Sequence, residues 1–278
     1  MRGSEILKTN ERLKKMKKTF LFAAVLSAGA LFSADLFNPV APTDFAQKKS
    51  IKKTEEGLSF KGNGCFYSYK SIAVDSSKKY RISGEFRFTG TPYKVFYLGY
   101  IPLSARHWVI APVMIDGSAQ TETTLAENAA KGAKVLKVTD ASKWNVKRNY
   151  PAIAFNAKAE LADMPNRDFD GVKKGSIKKA GDVWEVELTS PLKKAYAAGT
   201  RVRQHFYGGT YIYNVTKYNP AVGQWIKFSG VISGETKGVR SDKQFWTGTK
   251  SVFPMILVSG GKADSMTEFR NFKMEEVK

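Results

Sequence analysis

The last quarter of the chain, Gln224 to Val277, limits the fold more than any other stretch. It divides into three strand-like runs, 225–232, 251–258 and 268–274. In the first, Ile226, Phe228 and Ile232 fall on even positions with Lys227 and Ser229 between them, so one face of the pleat is apolar. The run from Ser251 to Val258 is almost continuously apolar, which predicts a strand covered on both faces. Such a strand requires partners from earlier in the chain. Tyr80 to Phe88 supplies one pattern, with Ile82, Gly84, Phe86 and Phe88 facing in and Arg81, Glu85 and Arg87 facing out. Further strands are predicted over Tyr93–Leu103, over His107–Ile115 before a turn at Asp116-Gly117, and from Tyr207 to Val215.

Between these host segments the texture changes. Thr121 to Ala133 is rich in Ala and polar residues. Short strands are then expected at Val135–Val138, Ala152–Phe155, Val183–Leu188 and Thr200–Phe206, with one helical turn within Pro191–Ala198. No long amphipathic helix and no repeat of roughly 20–50 residues interrupts the pattern, which disfavours solenoids and α/β folds. The expectation is an all-β chain, a two-sheet jelly-roll sandwich over 57–121 and 206–278 with a small β module inserted at 122–205. A leader rich in Pro, Lys and Ser, 35–56, precedes it.

The N-terminus reads as an export signal. Lys14, Lys15, Lys17 and Lys18 form a positive region, Phe20 to Leu26 an apolar one, and Ala28-Gly-Ala30 and Ser33-Ala34 offer small residues for cleavage. Met16 is the expected start, with Met1 to Lys15 as an upstream extension. The apolar run from Phe20 to Phe32 is shorter than the roughly 20 residues of a membrane span, so no span is expected once residues 1–34 are removed; an uncleaved membrane anchor is the alternative reading. The remaining chain would carry 38 basic and 23 acidic groups, a net charge of +15. That excess suits an anionic partner, and export makes nucleic acid the least fitting one; a cationic surface serving solubility explains the charge as well. Cys65 is alone, so no internal disulfide can form.

Three host segments carry a resemblance: Tyr80-Arg-Ile-Ser-Gly-Glu-Phe-Arg-Phe88, Gln224-Trp-Ile-Lys-Phe-Ser-Gly230 and Phe253-Pro-Met-Ile-Leu-Val258. With the closing Glu268-Phe-Arg-Asn-Phe-Lys-Met274, they make the host resemble the galactose-binding-like jelly roll and its carbohydrate-binding modules of families 4 and 9. The resemblance implies a sugar-binding sandwich; the secreted or cell-surface location is expected from the export signal. That family often has an Asp in its final strand where Asn271 stands here, so a structural calcium is not carried over. Two segments of the insert, Gly132–Ser142 and Leu188–Val202, look like small β modules of bacterial surface and phage-fibre proteins, with no chemistry attached.

Sugar-binding modules present aromatic rings to the C–H faces of pyranoses, flanked by polar groups that fix hydroxyls. Tyr93 and Tyr97 share a strand face, as do Tyr211 and Tyr213, and these four are candidate platform residues; core or amphipathic packing accounts for them as well. Trp225 is assigned to the core. Trp246, in the polar stretch Ser241–Gly248, is the candidate exposed platform. Arg106, Arg201 and Arg203 are candidates for an anionic ligand, the last two on one strand face that a merely solvated surface would also explain. Asn166–Gly171 echoes the opening of a calcium loop, but Ile177 occupies the position of the closing Glu, so a simple turn is expected and no metal or other cofactor is predicted.

His107 and His205 are the two histidines, and no HExxH, GxSxG or Cys-His pattern accompanies them. No pair of acidic residues stands out as a glycosidase couple. The reading is therefore a non-catalytic exported protein that binds polysaccharide, with acidic polysaccharide as the intended partner. A self-assembling surface protein is the second reading, and a polysaccharide-degrading enzyme the third.

Overall fold

A computed structural model describes residues 35–110, 113–115, 120–207, 211–236 and 241–278. The segment read as an export signal and the turn expected at Asp116-Gly117 lie outside the described residues. In chain order the first strands are β1 (Asp35–Phe37), β2 (Lys52–Lys53), β3 (Leu58–Lys61), β4 (Gly64–Tyr67), β5 (Ile72–Ala73) and β6 (Lys79–Thr89). Then come β7 (Val95–Leu103), β8 (Val113–Ile115), β9 (Thr123–Thr124), β10 (Val135–Val138), β11 (Pro151–Phe155), β12 (Phe169–Gly171) and β13 (Lys178–Ala180). The last are β14 (Val183–Glu187), β15 (Arg201–Tyr207), β16 (Ile212–Tyr218), β17 (Trp225–Ser233), β18 (Ser251–Ser259) and β19 (Met266–Val277). The chain is all-β, and every strand pairing is antiparallel.

Two sheets enclose the first core. One runs β17-β6-β19-β3-β2 with β1 on β19; the other runs β16-β7-β18-β4 with β5 on β18. Both draw on the first 110 residues and on the last 70 or so, as the buried run at 251–258 requires; β18 pairs with β7 from Ser251–Leu103 to Ser259–Val95. Aromatic rings fill the space between the sheets. Phe86 meets Phe96 at 4.7 Å, Phe96 meets Phe228 at 4.6 Å, and Phe60 stacks on Phe66 at 3.8 Å. In β19 a bulge between Arg270 and Lys273 holds Asn271 at φ 51°, a conformation Asn tolerates better than most residues. The extra residue lets Phe269 and Phe272, three apart, both point inward. Phe45 and Ile51, from the stretch read as a leader, are also buried in this core.

A second core is built wholly from residues between Leu125 and Val202. It joins the sheet β12-β11-β15-β8 to the three-stranded sheet β10-β14-β13. Strand β15 connects the two cores: Val202 belongs to the second and Phe206 to the first.

Some local expectations differ from the structure. His107 and Trp108 form a turn rather than the start of a strand, with the His107 amide donating to the Ser104 carbonyl at 2.8 Å and His107 at φ 55°. Pro191–Ala198 contains no helical turn. Trp225 is not in the core seam. It occupies an odd position of β17, whose even positions face inward, so its ring lies on the outer face. There Arg87 and Arg270 cover it at 4.9 and 4.3 Å from the ring centre, within a row of ion pairs that includes Arg87–Glu268 and Arg270–Glu85, both 2.7 Å.

Candidate functional site

The outer faces of the two host sheets differ in chemistry. The β17-β6-β19 face is laced with paired charges, whereas the β16-β7-β18-β4 face is aromatic and apolar. On it Tyr67, Tyr97, Tyr211 and Tyr213, all half-buried, pack over Ile101, Phe253 and Met255. Gly99 leaves room at the centre of this face. A Cβ there would sit 2.0 Å from the Ile212 carbonyl oxygen, so only glycine admits the close approach of β16. The result is a stack of Tyr97 on Tyr213 with centroids 4.0 Å apart. Tyr211 tilts against Tyr213 at 6.5 Å and hydrogen-bonds the Cys65 thiol, whose pKa burial pushes up to about 12 despite that bond.

Three of the four tyrosines picked from sequence thus share a face. Tyr97 and Tyr213 each occupy one face of the other's ring. Tyr93 does not join them. It is 1% exposed in the first core, edge-on to Phe88, and its hydroxyl donates to the Gly62 carbonyl at 3.1 Å. Odd positions face outward only from Val95 onward, where β7 begins, so the two-residue period does not reach back to Tyr93.

Trp246 is likewise not an exposed platform. At 1% exposure it is among the largest buried side chains, and its backbone amide donates to the Tyr100 hydroxyl at 2.9 Å. The polar residues around it turn outward while the indole and Phe245 fill the end of the sandwich.

Arg203, expected on a wet strand face, is 0% exposed. The loop carrying Asp163 covers it. Two guanidinium nitrogens donate to the Asp163 carboxylate at 3.1 and 2.7 Å, and Nε donates to His205 Nε2 at 2.9 Å. Burial would raise the Asp163 pKa, but hydrogen bonds from Arg203, the Lys158 amide and Asn166, with the charge of Arg203, hold it below the usual carboxylate value. Arg203 is therefore a structural pin, unavailable to a ligand, while Arg201 stays exposed at the strand's start. The segment that echoes a calcium site is not the simple turn expected, since its second half is β12; within it Asp168 accepts from Tyr196, Lys194 and Asn156, and Asn166 accepts from the Asp168 amide.

Sequence reasoning passed over one concavity. It measures about 440 Å³ and lies open between the 145–150 loop and the end of β15, lined by Asn145, Lys147, Arg148, Asn149, Tyr150, Phe206 and Tyr207. Tyr150 is 72% and Tyr207 43% exposed, large values for rings of this size. The loop is held firmly. Buried Gln204 accepts from the Asn145 amide at 2.7 Å and donates to its carbonyl at 3.2 Å, and the Tyr207 amide donates to the Tyr150 carbonyl at 2.8 Å. Tyr150 itself sits at φ 55°, an uncommon conformation for a bulky residue, of the kind that collects at ligand sites.

Inside the concavity the Arg148 guanidinium lies 3.9 Å from the Phe206 ring centre. Lys174 donates to Asn149 Oδ1 at 2.7 Å. Although the Tyr207 side chain is partly exposed, burial of the rest, and secondarily the nearby Asp170, raises its phenol above the ordinary pKa. Exposed Tyr150, amides able both to donate and accept, and two cations line the concavity, the chemistry a hydroxylated ring bearing negative charge would meet. The visible signal was the run Asn145–Tyr150, polar and basic with an aromatic residue just before Pro151. Comparison with known protein families and with curated proteins gives no match for this chain.

Proposed function

We propose that this is an exported, non-catalytic carbohydrate-binding protein whose ligand is an acidic polysaccharide, held at the concavity between Asn145 and Tyr207. The observation that carries the reading is the pairing of two strongly exposed tyrosines with Arg148, Lys147 and two asparagines on a loop fixed by Gln204. Tyrosine faces suit the C–H face of a pyranose, and the amides suit its hydroxyls. The N-terminal pattern and the net charge support export and an anionic ligand. The two-sheet sandwich is compatible with a galactose-binding-like jelly roll, which the sequence resembles.

A glycan array run over a salt series tests this. Binding should favour acidic glycans, weaken as salt rises, and fall at least tenfold in Tyr150→Ala and Tyr207→Ala. Absence of binding to any glycan would overturn it. The half-buried tyrosines on the outer face of the β16-β7-β18-β4 sheet favour a second reading, self-assembly at a surface, because partly exposed aromatic rings attract partners. Large assemblies that dissolve on Tyr97→Ser, without glycan binding, would favour that alternative.

A further inference from the structure

Arg81, Arg87, Arg203 and Arg270 each form an ion pair. Arg106 and Arg167 meet no carboxylate among the described residues; each guanidinium instead lies 5.6 Å from the centre of the same ring, Trp108. All three side chains are exposed, Trp108 to 44%. Neither cation has a carboxylate to balance it, and the ring's negative face offsets the two charges only in part. An anion beside them would complete the neutralisation.

Both contributing turns are held by bonds in which the side chains of Arg106, Trp108 and Arg167 take no part. Trp108 ends a turn closed by the Ser104 amide on the Trp108 carbonyl at 2.9 Å, and its neighbour Val109 bridges Leu103. Arg167 follows Asn166, whose side-chain amide donates to the Phe155 carbonyl at 2.9 Å and to Asp163 at 2.8 Å. Asp163 is in turn gripped by buried Arg203. The pin that removes Arg203 from the surface therefore sets the place of Arg167.

We infer that Arg106, Trp108 and Arg167 form a second binding point, one that takes the carboxylate or sulfate substituent of an acidic glycan. The guanidinium fork matches such groups, and exposed Trp adds apolar contact for the sugar that carries them. The inference rests on the carbohydrate reading above but uses none of the residues of the concavity.

Indole fluorescence of the full chain, titrated with a uronate oligosaccharide, its neutral counterpart of the same linkage, and sodium sulfate alone, provides the test. Trp108→Phe identifies the part of the signal that belongs to this ring. The uronate oligosaccharide should change the Trp108 signal, and Arg106→Gln/Arg167→Gln should weaken its binding at least tenfold while leaving affinity for the neutral one unchanged. Unchanged uronate affinity in that variant, with binding still lost in Tyr150→Ala, overturns the second binding point and leaves the carbohydrate reading standing. A response to sulfate with no oligosaccharide bound overturns both.

Discussion

Replacing Asp163 by alanine tests the buried pin most sharply. The substitution strips Arg203 of two charge-assisted hydrogen bonds while leaving it fully enclosed. What remains is the bond to His205, weak ones to the Lys158 carbonyl at 3.4 Å and the Met164 sulfur at 3.5 Å, and Glu122 at 3.8 Å. Stranding a buried charge costs about 3–5 kcal/mol. For a chain of this size each kcal/mol lowers Tm by roughly 2–4 °C, so the variant should melt roughly 6–20 °C lower. Arg203→Met should cost less, about 2–3 kcal/mol, because Asp163 keeps the Lys158 amide and Asn166 as donors. The double variant should be less destabilised than the sum of the singles by about 2 kcal/mol, since it leaves neither charge stranded. Urea unfolding of the four proteins at constant salt measures all three quantities. A loss below about 1 kcal/mol in Asp163→Ala, or strict additivity, would refute the reasoning, because a fully enclosed guanidinium cannot be that indifferent to its counter-ion.

Other consequences follow from the same geometry. Asp163 and Asp168 both titrate below the usual carboxylate value, so their stabilisation is complete above about pH 4–5 and is lost as pH falls through their lower folded values. Urea unfolding between pH 3 and 6 should show this fall, and Asp163→Asn should flatten it. Trp246→Ala, which empties a buried site, should cost about 3–5 kcal/mol, whereas Trp108→Ala should change stability by about 0.5 kcal/mol or less. Equal effects from the two in thermal melts would mean that their burial has been assigned wrongly. Gly99→Ala should drive β16 off the Ile212 contact, cost about 1–3 kcal/mol and reduce the near-ultraviolet circular dichroism of the Tyr97–Tyr213 stack.

Strands whose faces differ in chemistry could be read directly. In β6 and β17 the two-residue alternation placed Ile82, Phe86, Phe88, Phe228 and Ile232 inside without any knowledge of what covers them. Where the covering element is distant in sequence, alternation fails. Arg203 shares a strand face with exposed Arg201, and the loop through Asp163 alone decides that it is buried. Trp246 shows the converse: polar neighbours suggested exposure, but the Tyr100 hydroxyl, far away in the chain, receives its backbone amide. The concavity escaped notice because its residues come from two stretches, 145–150 and 206–207, joined by the buried Gln204 and the Tyr207–Tyr150 bond. Neither stretch has a periodic signature, and the left-handed turn at Tyr150 follows from no local residue preference.

Backbone hydrogen exchange with and without a bound acidic polysaccharide bears most directly on where this protein holds its ligand. Slowed exchange should concentrate in 145–150 and 204–207, with a second protected segment at 104–108. Protection confined to 96–103 and 211–218, on the tyrosine-bearing sheet face, or no protection at all, would contradict the account.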